Sequence, residues 1–219
     1  MSYLDEAGFA PTLPTTYSWS VVGERLEVPY EAPEGRRVNA VGAYFSRGPQ
    51  AGEFHHQSWA SVPKSRAKRQ VPTLSEQAAA HQLRPEEVGR IDSERLLAFI
   101  WKIAGRPAIH CPEGTRDWRR ERELVVVLDN YSVHKSQEVR AAQAELAAAK
   151  ATLWYLPAYS PELSEIEPIW HAVKHREMVR RSYELLGELK WDVDDTLERK
   201  AAALRAARSK TTDLCRRAA

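Results

Sequence analysis

The chain has 219 residues, 43% of them hydrophobic and 28% charged, with a formal net charge of only +2. That is enough apolar material for one sizeable core and too much for wholesale disorder, and the whole-molecule charge singles out no partner. No apolar run approaches the roughly 18 residues of a membrane-spanning helix, no leader peptide opens the chain, and Cys111 and Cys215 form no C-x-x-C pair, so a soluble protein of the reducing cytoplasm is expected.

A first strand is expected at Tyr3-Leu-Asp5, almost at the first residue. Residues 11–37, rich in Pro, Gly and Thr, read as loop with a short strand near 25–28. Arg37–Phe45 and Glu53–Trp59 are β-branched and aromatic runs around a Gly/Pro turn, a hairpin that would extend the first strand into an antiparallel meander. Residues 60–90 look polar and irregular, with the basic run Lys64-Ser-Arg66-Ala-Lys68-Arg69. A helix is expected from Ser93 to Lys102, capped by Asp92, with Leu96, Leu97, Ile100 and Trp101 as its apolar set. Residues 105–121 are loop. Leu124–Leu128 is continuously apolar, as a strand buried on both faces should be. Then come an alanine-rich helix (Lys135–Lys150), a short strand (Thr152–Leu156) stopped by Pro157, and a helix over 164–180 with Ile166, Ile169, Trp170 and Val173 on one face. A charged helix or helix pair covers 184–209. The order predicts an α/β fold: a mixed five-stranded sheet flanked by helices over residues 1–180, then a C-terminal helical tail, 181–219.

Three acidic positions carry the chemistry. Asp5 and Asp129 follow apolar strand runs, and Glu167 opens a helix. Carboxylates so placed can converge on two divalent cations, Mg²⁺ or Mn²⁺, which bind oxygen ligands and assist in-line attack on a phosphodiester. Each has a structural alternative. Asp5 would serve a turn in Asp-Glu-Ala-Gly, Asp129 an Asx turn, and Glu167 a capping box with Ser164.

Three motifs resemble those of the DDE superfamily endonucleases, in particular the catalytic domain of mariner-like bacterial insertion-sequence transposases. They are Asp5-Glu-Ala-Gly-Phe9, Leu128-Asp-Asn-Tyr-Ser-Val-His134, and Leu156-Pro-Ala-Tyr-Ser-Pro-Glu-Leu-Ser-Glu-Ile-Glu-Pro-Ile-Trp170. The interval from Asp129 to Glu167 is close to the mid-thirties spacing of that group. Over roughly residues 1–180 the resemblance implies a ribonuclease-H-like fold, two Mg²⁺ or Mn²⁺ ions held by Asp5, Asp129 and Glu167, and DNA strand cleavage and strand transfer. It also implies double-stranded DNA as partner, both element ends and target, and a location at the nucleoid. The chain departs from the pattern at Ser164-Glu165, where Asn-Pro is usual, and no helix-turn-helix region precedes Asp5. Either that region is encoded in a separate or frameshifted reading frame or the chain is a truncated copy, and the expected protein partners are a second copy of the chain (a homodimer) or a separate DNA-binding subunit. The alternatives are an inactive remnant that only binds DNA or a partner, and a metal-dependent nuclease without strand transfer.

Lys64, Arg66, Lys68, Arg69, His134, Lys174, Arg176, Arg180 and Arg181 are candidate contacts to DNA phosphates, with a merely solvated face as the competing reading. Glu167, His171 and His175 recur at helical spacing, either a transition-metal face or solvated histidines. Tyr159 and Trp170 read as packing residues.

Overall fold

The computed structural model of the protein describes residues 1–12, 21–24, 36–62, 72–107, 118–158, 160–178 and 181–217, with side chains through residue 209. The expected strand at 25–28, the basic run 64–69, Tyr159 and Arg180 lie outside these residues.

Five strands, β1 (Ser2–Phe9), β2 (Arg37–Phe45), β3 (Phe54–Ser61), β4 (Leu124–Leu128) and β5 (Ala151–Tyr155), form one sheet in the order β3-β2-β1-β4-β5. β1, β2 and β3 are antiparallel neighbours, whereas β1–β4 and β4–β5 are parallel. An antiparallel meander continued by two parallel strands is the ribonuclease-H-like arrangement expected.

β1 runs farther than residues 3–5. β2 pairs with it from Ser2↔Phe45 to Phe9↔Val38, so Glu-Ala-Gly, turn-like in isolation, is held extended by its neighbour. Asp5 therefore lies in mid-strand rather than at a strand end. The parallel ladder with β4, however, stops at Leu4↔Leu128.

Helices cover both faces. On one, α2 (Ser93–Ala104) and α3 (Gln137–Ala148) bury Leu96, Phe99, Ile100, Ile103, Val139 and Leu146 against Leu4, Val126 and Leu128. The α2 stripe falls at i, i+3, i+4 and i+7; Asp92 accepts the Arg95 N–H at 2.9 Å, and Gly105 ends the helix with φ 85°. On the other face, α4 (Glu167–Ala172) and α5 (Leu186–Arg217) bury Ile169, Trp170, Leu186, Leu189, Val193 and Leu197 in one cluster with Tyr3, Ala7 and Phe9. α5 is a single helix, and among the described residues no helix is long and apolar enough to cross a membrane.

Two expectations fail here. Residues 60–90 contain α1 (Leu74–Ala80), opened by a reciprocal Thr73–Glu76 capping box; only Ala78 in it is buried, so no apolar periodicity announces it. The helix expected over 164–180 is α4 followed by one π turn, Val173–Glu177. Ile166, Ile169, Trp170 and Val173 are nonetheless all buried.

Candidate active site

The register sets the site. Beyond the last β1–β4 pair, Leu4↔Leu128, the next residues on each strand are Asp5 and Asp129. Adjacent strands stand about 4.8 Å apart, which makes the two aspartate backbones neighbours. Glu167, first residue of α4, faces the same cleft, a cavity of about 410 Å³ also lined by Asn130, Leu156 and Ser164.

Glu167 is free of the capping role. The α4 cap residue is Ile166, with no side-chain cap bond, and Ser164 offers only its backbone carbonyl to the Glu167 N–H at 3.2 Å. Trp170, one turn on, sets the helix against the sheet. It is 2% exposed and lies over Gly42, the residue paired with Asp5; a methyl group there would stand 2.7 Å from its ring.

The two aspartates are held differently. Asp5 is desolvated, and burial first, then the charges of Glu6, Glu167 and Asp129, pushes its carboxyl up to about 7, against the Glu6 N–H that it accepts. Asp129 is 53% exposed. Its Oδ1 accepts the Tyr131 N–H at 2.9 Å, an Asx turn, and lies 2.7 Å from His134 Nδ1. Asn130 Nδ2 donates to the Leu156 carbonyl at 2.6 Å, tying the loops after β4 and β5 together.

His134 is fully buried, so it is not a phosphate contact. Its Nε2 is 2.9 Å from Glu6 Oε1. Burial pulls the imidazole pKa down, but Glu6 and Asp129 outweigh it, and the net shift is upward. Glu6 was overlooked in the sequence. The available signal was its place beside Asp5 on a strand, which sends the two side chains to opposite faces. Glu165, where the family pattern departs, bonds the Tyr3 hydroxyl, and burial and then this carboxylate raise the tyrosine pKa.

Of the expected phosphate contacts, Lys174 is half-buried, its ammonium 5.7 Å from the centre of the Phe9 ring. Burial lowers its pKa, while Asp5 and Glu167 pull the other way. Arg181 stacks on Tyr183 and pairs with Asp192 at 3.1 Å. Arg176 is exposed. The His171 and His175 rings lie 4.7 Å apart, tilted by 41° to each other.

Among the described residues, no three His, Cys, Asp or Glu side chains already stand at metal-ligating geometry. The donor set still suits a hard divalent cation. It is all oxygen, and one carboxylate is buried among like charges that a cation would offset.

No curated protein matches the chain. Among solved structures, the Mos1 transposase paired-end complex with left transposon end aligns at TM-score 0.49 and 12% identity, over 93% of this chain and 51% of that one. The Mos1 mariner paired end complex with Mn aligns at 0.49 and 12%, over 93% and 52%. The chain thus spans about half the length of these proteins. The sequence profile of the DDE superfamily endonucleases matches residues 1–190, and the chain belongs to that family.

Proposed function

We propose that this is the catalytic domain of a transposase that cuts and rejoins DNA strands, with Asp5, Asp129 and Glu167 holding the divalent cations. The observation that carries the reading is the single cleft onto which the β1–β4 seam and the first residue of α4 bring all three carboxylates. Mg²⁺ or Mn²⁺ bound there would activate a water or a DNA 3′-hydroxyl and stabilise the leaving oxygen.

The chain's own residues do the rest. Asp5, held in register by β2 one residue past the end of the β4 ladder, fixes the floor of the site. Asp129 sits at the carboxyl end of β4, where α/β sheets place their ligands. Trp170 seats α4 and thereby aims Glu167. Lys174, close enough to feel Asp5 and Glu167, brings a positive charge beside the position of a bound phosphodiester.

The test is nicking of supercoiled plasmid with Mg²⁺ or Mn²⁺, against EDTA. Wild type should nick only with metal, and Asp129→Asn should lose nicking while melting like a folded protein. Nicking that survives Asp129→Asn would remove Asp129 from the ligand set and favour a domain that only binds DNA.

A further inference from the structure

The parallel ladder between β1 and β4 ends at Leu4↔Leu128, one residue short of the two aspartates. Past that point a side-chain bridge continues the connection. Glu6 leaves β1 on the face opposite Asp5 and meets His134 Nε2 at 2.9 Å; His134 Nδ1 donates to the Asp129 main-chain carbonyl at 3.3 Å and lies 2.7 Å from Asp129 Oδ1 as an ion-pair contact. Both ring nitrogens are used, the imidazole is fully buried, and the Glu6 side chain is 16% exposed. The Tyr131 N–H engages the same Asp129 oxygen at 2.9 Å. Oδ1 thus takes one hydrogen bond and one ion-pair contact, which leaves Oδ2 for a cation.

We infer that Glu6 and His134 form a positioning relay that ties the Asp129 carboxylate to β1 and fixes its orientation toward the metal. This rests on the proposed assignment of Asp129 as a ligand. The relay explains two residues for which the cleft itself has no use. Neither Glu6 nor His134 lines it, and leucines would fill the same space without burying an imidazole between two carboxylates. Buried ion pairs of this kind contribute little net stability compared with apolar replacements. Outer groups that orient a ligating side chain, by contrast, typically govern metal affinity by about 10–100-fold. β1 serves both layers at once because a strand sends consecutive side chains to opposite faces.

The test is a Mn²⁺ titration of the DNA-free protein, followed by the EPR signal of free Mn²⁺, together with melting in EDTA. Four proteins are compared with wild type: Asp129→Asn, His134→Asn, His134→Gln and the double variant Glu6→Leu/His134→Leu. An asparagine amide falls near the position of Nδ1 and can still donate to Asp129, whereas a glutamine amide falls near Nε2 and cannot. His134→Gln and the double variant should therefore weaken Mn²⁺ binding about 10–100-fold, with His134→Asn close to wild type. The double variant removes both partners of the buried Glu6–His134 pair at once, and the half-exposed Asp129 carboxylate keeps the Tyr131 N–H and solvent, so it should melt near wild type and guard against a trivial folding defect. Normal Mn²⁺ affinity in His134→Gln and the double variant, with loss in Asp129→Asn, would overturn the relay and leave the metal site standing. The same would follow if His134→Asn bound as weakly as His134→Gln. Normal affinity in Asp129→Asn would overturn the metal assignment and the relay with it.

Discussion

Asp5 and Asp129 are neighbours across two strands and are positioned by opposite means. Asp5 is fixed by the sheet. It has ladder partners on β2, it is desolvated, and its carboxyl is pushed up to about 7. Asp129 lies beyond its strand, half in solvent, and is held by the Tyr131 N–H on its carboxylate, by His134 on its main-chain carbonyl and by the ion-pair contact of that imidazole with Oδ1. A carboxylate held by burial is costly to keep ionised; one held by donors is not. The largest predicted effect follows. Asp5→Asn and Asp129→Asn should both lower metal-dependent nicking at least about 100-fold, more than loss of an orienting group alone. In EDTA at pH 8 they should diverge. Asp5→Asn should raise the melting temperature by several degrees, at roughly 2–4 °C per kcal/mol for a domain of this size, whereas Asp129→Asn should leave it level or lower it. Melting shifts of the same sign would break the comparison.

Glu167 depends on a third device, the packing of α4. A methyl group at Gly42 would come within 2.7 Å of the Trp170 ring and 2.9 Å of Phe54, both buried. Gly42→Ala should therefore cost about 1–3 kcal/mol by overpacking and reduce nicking by displacing Glu167. Gly8→Ala, whose new methyl meets the end of the Arg37 side chain at 3.4 Å and the Asn39 side chain at 3.5 Å, is the control and should be close to neutral. Equal melting of the two variants would show that Trp170 does not seat the helix.

The sheet was largely legible in the sequence because its strands carry their own signals. Leu124–Leu128 is apolar throughout, and Arg37–Phe45 is β-branched and aromatic before a Gly/Pro turn. The helix faces of α2 and α4 showed through their apolar spacing. α1 did not, since a seven-residue helix with one buried alanine has no stripe to read. The extent of β1 was hidden because pairing with β2, rather than local propensity, keeps Glu6–Phe9 extended. Within the site, residue type and spacing pointed to the three carboxylates. The bond between Glu6 and His134 was out of reach, since it spans 128 positions of chain and exists only once β1 and β4 lie side by side.

The contrast between the aspartates also sets a pH dependence. Asp5 has a folded value of about 7 against an ordinary 3.8. The unfolded chain therefore loses this proton first as pH rises, and the associated stability, complete below about 4, is lost by about 7. His134 is raised as well, and its contribution, complete below the ordinary 6.5, is lost as pH climbs through its folded value. Both act in one direction. In EDTA, the melting temperature of wild type relative to Asp5→Asn should fall between pH 4 and 7 and then level off. Mn²⁺ at pH 8 should recover the loss by binding the ionised form. A flat difference across that range would mean that Asp5 is not desolvated in solution.

The smallest effect separates two arginines that look alike in sequence. Arg176 is exposed on the π turn after α4, whereas Arg181 stacks on Tyr183 at 4.6 Å and pairs with Asp192, which also accepts the Tyr183 hydroxyl at 2.7 Å. Asp192 is 7% exposed, so removing Arg181 strips a partner from a buried charge. Arg181→Ala should thus lower the melting temperature and leave the salt dependence of DNA binding almost unchanged. Arg176→Ala should do the reverse, with no change in melting and a salt slope flatter by roughly one unit if its guanidinium meets one phosphate. Binding isotherms for a random duplex at several salt concentrations give both slopes. An Arg181→Ala slope flattened as much as that of Arg176→Ala would show that Arg181 leaves Asp192 to bind DNA, and would return it to the phosphate-binding surface expected from the sequence.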